Sequence, residues 1–334
     1  MSKITIKELA ERLNLSISTV SRALSDSYET SEETKKRVKA LADELGYRPD
    51  VYASNLRSKK SRTIGVIIPE ITNSFFSLAI NGIEEVARQN GYHVLIYLSH
   101  EDYEQEASVA RLLLDGRVDG ILMSVGCATT NTAHIEAFNK RGIPVVLFDR
   151  ICDGLNTLKV ITDDYNSGYK SALHLIEQGC KKLAYLSLSK HLSIDQRRKS
   201  GFVDAANQHN TTFEIICCSP DEDENIRILS ELLSSNNKPD GIFASVEKLG
   251  ITLYQVCHEL NMQIPSQLKI ISFSSIKIAP LLQPPLTTIT QPAFEIGRKA
   301  SAALFRALKN NFLFVENEEI IVPSELVVRK STKA

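Results

Sequence analysis

Four residues near the amino terminus carry side chains suited to reading the edges of nucleic-acid bases. Ile17, Ser18, Ser21 and Arg22 fall on the outer side of a short amphipathic segment. Such a segment can enter the major groove of double-stranded DNA, where an arginine can bridge the edge of a guanine. An alternative for Arg22 is a surface ion pair with Asp26, four residues further along. The pattern predicts DNA recognition by the start of this segment.

The elements that must position these side chains are three short helices. A first stripe at helical spacing is formed by Ile6, Leu9, Ala10 and Leu13. Ser16 is suited to cap a second helix over residues 17–24, and Ser31 a third helix that Gly46 ends. Three positions match the small, turn and apolar positions of a helix-turn-helix, namely Ala10, Asn14 and Val20. An αα-hairpin is the alternative for this spacing.

After residue 62 the pattern changes to apolar runs that alternate with helical segments of 10–16 residues. The runs cover residues 64–68, 94–97, 120–123, 145–148, 183–186, 213–217, 241–244 and 270–273. Near-continuous apolar strands between helices predict parallel sheets covered on both faces. The number of units predicts two α/β lobes, roughly 62–161 and 162–290, with a ligand cleft between them. A helix over residues 294–308 and two short strands complete the tail.

Composition and charge exclude several classes of protein. The 334 residues are 43% hydrophobic and 24% charged, which argues against wholesale disorder. Residues 1–62 carry a net charge of +4 and the remainder −5, so a basic module with a polyanionic partner is indicated, although a solvated linker would look the same. No run of about 18 apolar residues, no secretory signal and no CxxC spacing occur, so we expect a cytoplasmic, reduced protein.

The sequence also lacks the signatures of common enzymes. It contains no GxGxxG after a strand, no GxxxxGK[ST], no HExxH and no GxSxG, and its seven histidines show no metal-ligand spacing. We therefore expect no catalytic residues, no metal and no cofactor.

These features come with motifs that resemble the LacI/GalR family of transcription regulators. In the first 50 residues the motifs are Thr5-Ile-Lys-Glu-Leu-Ala10, Ser16-x-x-Thr-Val-Ser-Arg22, Ser31-Glu-Glu-Thr34 and Leu45-Gly-Tyr-Arg-Pro49. Later ones include Thr63-Ile-Gly-Val, Asn73-x-Phe-Phe76, Arg117-Val-Asp-Gly-Ile121, Gly142-Ile-Pro-Val-Val146, Phe148-Asp-Arg150, Pro285-Leu-Thr-Thr-Ile289, Gln291-Pro292 and Pro323-x-Glu-Leu326. The resemblance spans nearly the whole chain in order.

The resemblance implies a homodimeric regulator, a repressor, that grips a pseudo-palindromic operator. A small all-α helix-turn-helix headpiece would be followed by a two-lobed core of parallel sheets, like that of periplasmic binding proteins. The core would bind a small-molecule effector, a sugar or sugar derivative, that modulates operator affinity. The implied domains are the headpiece at 1–48, a hinge helix at 49–61, a first lobe at 62–161 plus about 291–322, and a second lobe at 162–290 plus about 323–330. No heptad run follows residue 330, so a dimer is favoured.

The family match also assigns residues to DNA. The implied contacts are Thr5, Ser16, Ile17, Ser18, Thr19, Ser21, Arg22, Tyr47, Asn55 and Leu56. Leu56 matches a leucine that wedges into the minor groove and kinks the duplex. A packing leucine at the dimer contact is the alternative. A hinge helix this short is marginal by itself, so we expect it to form on DNA.

The implied effector site departs from the family pattern. Its positions are Phe75, Asp149, Asp163 (or Asp164, with the register uncertain by one), Arg198, Glu247 and Ser274. Val246-Glu247 stands where Asn-Asp is usual, and Ser274 stands in place of an aspartate, so an ordinary free hexose is less secure as the effector. A different sugar, a phosphorylated ligand held by Arg198, or no ligand remain open. Asp149 as a strand-end turn residue and Arg198 as a surface ion-pair residue are the structural alternatives.

Two other functions stay open from the sequence. The core alone would suit a solute-binding protein, against which the headpiece and the missing export signal argue. A DNA-binding regulator whose core responds to a protein partner is the other.

Overall fold

The computed structural model describes residues 4–47, 61–189, 192–310 and 318–333. It divides into two compact units, Met1–Ser61 and Arg62–Ala334. No helix in these described ranges is long and apolar enough to cross a membrane.

The first unit is a three-helix domain. Its helices are α1 (Ile6–Leu13), α2 (Ile17–Leu24) and α3 (Glu32–Glu44). The hydroxyl of Ser16 accepts a hydrogen bond from the N–H of Thr19, and Ser31 does the same for Thr34, so both predicted caps are confirmed. Asn14 ends α1 in the left-handed region at φ 53°, which allows the sharp turn into α2.

A small core holds the three helices together. It consists of Leu9, Ala10, Val20, Ala23, Val38 and Ala42, all buried. The small Ala10 and the apolar Val20 therefore pack inside as a helix-turn-helix requires. The opposite side of α2 is left facing outward.

The second unit contains two six-stranded sheets. In chain order the strands are β1 (Thr63–Ile68), β2 (His93–Leu98), β3 (Gly120–Met123), β4 (Val145–Phe148), β5 (Leu158–Thr162), β6 (Lys182–Ser187), β7 (Thr212–Cys217), β8 (Gly241–Ala244), β9 (Lys269–Phe273), β10 (Thr287–Thr290), β11 (Glu319–Val322) and β12 (Glu325–Val327). The first sheet has the order β11-β5-β4-β3-β1-β2 and is parallel throughout. The second has the order β12-β10-β9-β8-β6-β7, with only β12 antiparallel.

Helices cover both faces of each sheet. They are α4 (Ser74–Gln89), α5 (Tyr103–Leu114), α6 (Ala133–Lys140), α7 (Asp164–Glu177), α8 (Ser193–Gln208), α9 (Glu222–Ser234), α10 (Glu247–Glu259) and α11 (Ala293–Lys309), with a 3-10 turn at Ala279–Leu281. Each sheet has one buried apolar cluster on either face. All eight predicted apolar runs lie in strands, so the α/β prediction is confirmed.

The chain passes between the sheets three times, after β5, after β10 and between β11 and β12. These crossings bring the carboxyl ends of the parallel strands of both sheets toward one region. In open α/β sheets, ligands bind beyond the carboxyl ends of the strands, where the strand order reverses. In the first sheet that reversal lies between β1 and β3, and in the second between β6 and β8.

One helix pair in each lobe packs at backbone contact through glycines. On α7 and α8, a Cβ added to Gly168 would lie 1.8 Å from the carbonyl oxygen of Arg198, and one added to Gly201 would lie 1.9 Å from that of Tyr165. The pair α4 and α11 repeats the arrangement with Gly82 and Gly297. These crossings fix the helices that start at the carboxyl ends of the strands.

Candidate functional site

The outer side of α2 presents the side chains that the sequence assigned to base reading. Ile17, Ser18 and Arg22 are exposed, whereas Ser21 is half-buried. The Ser16 hydroxyl lies 2.8 Å from the hydroxyls of both Ser18 and Thr19, so three hydroxyl groups cluster at the start of the helix. The helix amino terminus is also the end that favours contact with a phosphate.

Arg22 has a different partner from the one considered above. Its Nη1 donates to Oε2 of Glu29 at 2.9 Å. The alternative pair with Asp26 is wrong, because Asp26 sits in the left-handed region at φ 57° and pairs with Lys35 and Lys39 on α3. Arg22 thus lies on the exposed side of α2 and pairs with Glu29.

The remaining assigned positions of this unit have varied surroundings. Thr5 is exposed and caps α1, since it exchanges hydrogen bonds with Glu8 in a capping box. Tyr47 is half-buried against the helical core. Asn55 and Leu56, with most of the predicted hinge at 49–61, lie outside the described residues.

A cleft at the carboxyl ends of the strands brings together residues of both lobes. Five of the six assigned effector positions line it, namely Phe75, Asp149, Arg198, Glu247 and Ser274. Its volume is about 40 Å³, room for a few water molecules. Two of its carboxylates already accept hydrogen bonds from other lining residues, Asp149 from Gln291 and Glu247 from Ser274.

Arg198 is the most heavily bonded of these residues. Its Nε donates to Asp164 Oδ1 at 2.7 Å, and its Nη1 donates to the carbonyl oxygen of Ser245 at 2.7 Å. The guanidinium carbon lies 3.3 Å from the ring centre of Phe273, a cation–π contact. The ion pair with Asp164 is buried, so the surface ion pair considered above is wrong.

Burial governs the ionisation of Asp149, which lines the cleft, and of Asp164, which lies behind Arg198 and does not line it. Removal from water raises the pKa of Asp164 to about 7, although Arg198 pulls it down. Burial likewise raises the pKa of Asp149, against the opposing effect of Arg150 and Arg198. Asp149 lies in the left-handed region at φ 60° and accepts a hydrogen bond from Nε2 of Gln291 at 2.6 Å. It is therefore the turn residue that the alternative proposed, and it also lines the cleft.

Glu247 connects the two lobes across the cleft. Its Oε2 accepts hydrogen bonds from Ser74 on α4 at 2.8 Å and from Ser274 after β9 at 2.7 Å. The two residues that depart from the family pattern, Glu247 and Ser274, are thus hydrogen-bonded to each other. The longer glutamate side chain reaches the serine hydroxyl.

Asp163 does not line the cleft. Its Oδ1 accepts from the backbone N–H of Ser324 at 2.6 Å, and its Oδ2 lies 3.2 Å from Lys170. It ties the first crossing between the sheets to the third, whereas the adjacent Asp164 holds Arg198.

Comparison with known proteins identifies the chain. Residues 5–50 match the model described as bacterial regulatory proteins, lacI family. Residues 61–326 match the periplasmic binding proteins and sugar binding domain of the LacI family. The chain belongs to the LacI family. It is a DNA-binding transcriptional regulator.

Individual relatives cover the whole length of this LacI-family chain. It is 30% identical to the HTH-type transcriptional repressor PurR of Vibrio vulnificus, over 98% of each chain. It is 29% identical to the ribose operon repressor of Halalkalibacterium halodurans, over 98% of this chain and 97% of that protein. Both of these relatives are named as repressors.

Two solved structures show the same architecture. A LacI family regulator from Enterococcus faecium with bound ribose is 28% identical, with a TM-score of 0.71 over 80% of this chain and 98% of the other. The lac repressor dimer bound to operator and an anti-inducer has a TM-score of 0.87 over 100% of both chains. At 20% identity, the second supports the fold alone.

Sequence reasoning on this family member missed several cleft residues. Arg150 lines the cleft, is buried, and donates to Oε1 of Glu101 at 2.6 Å. Phe273 and Gln291 also line it. The signal was present, because Arg150 and Gln291 stand in the quoted Phe-Asp-Arg and Gln-Pro motifs and Phe273 ends an apolar run.

Proposed function

We propose that this LacI-family chain is a repressor that acts as a homodimer on a pseudo-palindromic operator. A small molecule between the lobes of its core would change the affinity for that operator. The observation that carries the proposal is the packing of Ala10 and Val20 inside the headpiece, which leaves the start of α2 exposed as a recognition helix. The chain would act by binding and not by catalysis.

The domain division and the site residues belong to this proposal. The headpiece would be 1–48 and the hinge 49–61, and the two lobes would follow the two sheets, with β11 in the first and β12 in the second. The headpiece residues assigned above would contact DNA, with Leu56 as the wedge. The five assigned residues that line the cleft would contact the effector, and Asp164, which does not line it, would hold Arg198 in position.

Site selection tests the DNA part of the proposal. We expect the purified full-length protein to enrich a two-fold symmetric site from random and genomic fragments, because the two headpieces of a homodimer bind symmetric half-sites. Affinity for that site should fall steeply with salt, since phosphate contacts release counterions.

Deletion of residues 1–60 is the matched control for site selection. The remaining residues, 61–334, should stay a folded dimer and lose operator binding. Loss of folding would contradict the domain division. A core that binds solutes, attached to a headpiece without selectivity for any DNA, would point to the solute-binding alternative.

The charges around the cleft favour an uncharged effector. Both cleft arginines already have carboxylate partners, Arg150 with Glu101 and Arg198 with Asp164. Asp149 and Glu247 accept only from neutral groups and form no ion pair in the described part of the chain. A phosphorylated ligand would meet these carboxylates, whereas sugar hydroxyls can donate to them. We therefore favour a neutral sugar or sugar derivative.

The small volume of the cleft connects effector binding to lobe movement. A cavity of about 40 Å³ cannot admit a sugar, so the lobes must separate and the contact between Glu247 and Ser74 must break. An effector that favours the resulting arrangement would bias the lobes by its differential affinity.

Thermal unfolding with matched pairs of ligands tests the effector class. Neutral pentoses and hexoses are compared with their 5- and 6-phosphates, such as ribose with ribose 5-phosphate. A neutral effector at about 100 times its Kd should raise the Tm of the core by about 5 °C or more, and its phosphate should not. Stabilisation by the phosphate alone would contradict the charge argument.

Two variants on the same helix provide the control. Glu247→Gln should weaken the effector's binding roughly tenfold, because a charged acceptor is lost. Glu259→Gln, at the exposed far end of α10, should leave binding unchanged. If no sugar affects the Tm, a core that responds to a protein partner becomes the better interpretation.

A further inference from the structure

The pair formed by Arg22 and Glu29 contributes little to the stability of the headpiece. Both side chains are about half exposed, at 50% and 49%. Exposed ion pairs typically contribute about 0–1 kcal/mol, because solvent screens them and holding two long side chains costs entropy. A stability role therefore does not account for the pair.

The pair also has a cost for DNA binding. Arg22 lies on the exposed side of the proposed recognition helix, and the carboxylate of Glu29 is held 2.9 Å from its guanidinium. A negative charge at this place repels phosphates and offsets one cation of the headpiece. Its effect on non-specific affinity is unfavourable.

The backbone holds Glu29 firmly beside the helix. The N–H of Ser27 donates to the carbonyl oxygen of Arg22 at 3.0 Å, and the N–H of Thr30 donates to Ser27 at 3.2 Å. The N–H of Glu29 itself donates to the Ser27 hydroxyl at 3.3 Å. The turn after α2 thus folds back on the residue whose side chain Glu29 contacts.

We propose that Glu29 is a positioning residue that sets the base specificity of Arg22. The guanidinium has five N–H donors, and the contact with Glu29 uses one on Nη1. The remaining donors still form the planar fork that matches O6 and N7 of guanine. Glu29 fixes the orientation of that fork before DNA arrives, which lowers the entropy cost of binding.

This inference rests on the proposed function, because it requires α2 to read bases. Once the operator is selected, the affinity of the full-length protein is measured for that site, for each single-base substitution in the half-site, and for a scrambled duplex. The same set is measured for Arg22→Ala, Glu29→Ala, Glu29→Gln and the double variant. Glu11→Ala, which removes an exposed carboxylate from α1, serves as the control for charge.

We expect Glu29→Ala to reduce the preference at one base pair per half-site by up to about fivefold, at the base pair that Arg22→Ala also affects. Affinity for the scrambled duplex should stay the same or rise. In the Arg22→Ala background, Glu29→Ala should change no preference further, because it acts through the arginine. Glu29→Gln, which keeps an acceptor, should retain part of the preference.

Other results would overturn the inference. Unchanged preference at every base pair in Glu29→Ala would make the pair an ordinary surface contact. A loss at another base pair that persists in the Arg22→Ala background would mean that Glu29 reads a base directly. If Arg22→Ala changes no preference, the arginine reads no base and Glu29 has nothing to position. Failure of the wild-type protein to select any site would overturn the proposed function itself.

Discussion

Asp164→Ala should lower the free energy of unfolding of the core by about 3–5 kcal/mol, because it leaves a buried arginine without its counter-charge. Arg198 and Asp164 are both 2% exposed and lie 2.7 Å apart. After the substitution, the carbonyl of Ser245 and the ring of Phe273 remain in contact with the guanidinium, and Asp149, whose pKa Arg198 lowers, forms no ion pair with it in the described part of the chain. Neither the carbonyl nor the ring carries a compensating charge.

The preceding residue on α8 supplies a matched control. Arg197 pairs with Asp153 at 3.2 Å, but these side chains are 34% and 69% exposed. Asp153→Ala should therefore change stability by less than about 1 kcal/mol. Both variants are compared by urea unfolding at pH 8, where Asp164, with its pKa of about 7, is ionised in the folded protein.

A double variant separates charge burial from simple loss of packing. Arg198→Met combined with Asp164→Leu removes both charges and keeps apolar volume, so it should recover most of the stability lost in Asp164→Ala. Equal losses in Asp164→Ala and Asp153→Ala would mean that water reaches Arg198 through the cleft and solvates it. The buried pair would then be no more important than the surface one.

The sequence predicted most of the fold because the core strands are apolar and the headpiece helices have clear caps. Two strands escaped it. β5 contains Lys159 and β10 contains three threonines in four residues, so neither forms an apolar run. Both are nonetheless buried, because neighbouring strands and helices cover them. Burial by elements that are distant in the sequence cannot be predicted from the hydropathy of the strand itself.

The cleft was only partly predictable for a related reason. Family motifs give positions along the chain, but a side chain's partner depends on the meeting of distant elements. Asp163 and Asp164 are adjacent, yet one bonds to Ser324 and the other to Arg198. The contact of Glu247 with Ser74 joins residues 173 positions apart. No local spacing encodes either choice.

Gly201→Ala should destabilise the core by about 3 kcal/mol or more, although alanine is the better helix former by about 1 kcal/mol. Gly201 lies on α8, where it crosses α7. An added Cβ would lie 1.9 Å from the carbonyl oxygen of Tyr165 and 2.9 Å from the N–H nitrogen of Tyr169. These are backbone atoms, which cannot rotate aside as a side chain can. The two helices would have to separate.

The two effects predict opposite changes in stability for Gly201→Ala: helix propensity alone predicts stabilisation, and the close backbone contact predicts destabilisation. Ser200→Ala, one residue earlier on the exposed side of α8, should leave stability within about 0.5 kcal/mol of the wild type. A stable Gly201→Ala variant would mean that the crossing yields without strain.

Separation of α7 and α8 should also change the geometry of the cleft. The reciprocal contact in this crossing is between Gly168 and the carbonyl oxygen of Arg198. If α8 shifts away from α7, Arg198 moves relative to Asp164 on α7 and to Phe273 at the end of β9. Gly201→Ala should therefore weaken the Tm response to the effector more than its loss of stability alone explains. An unchanged effector affinity in the destabilised variant would show that Arg198 keeps its place independently of the crossing, held by the strand ends rather than by the helix pair.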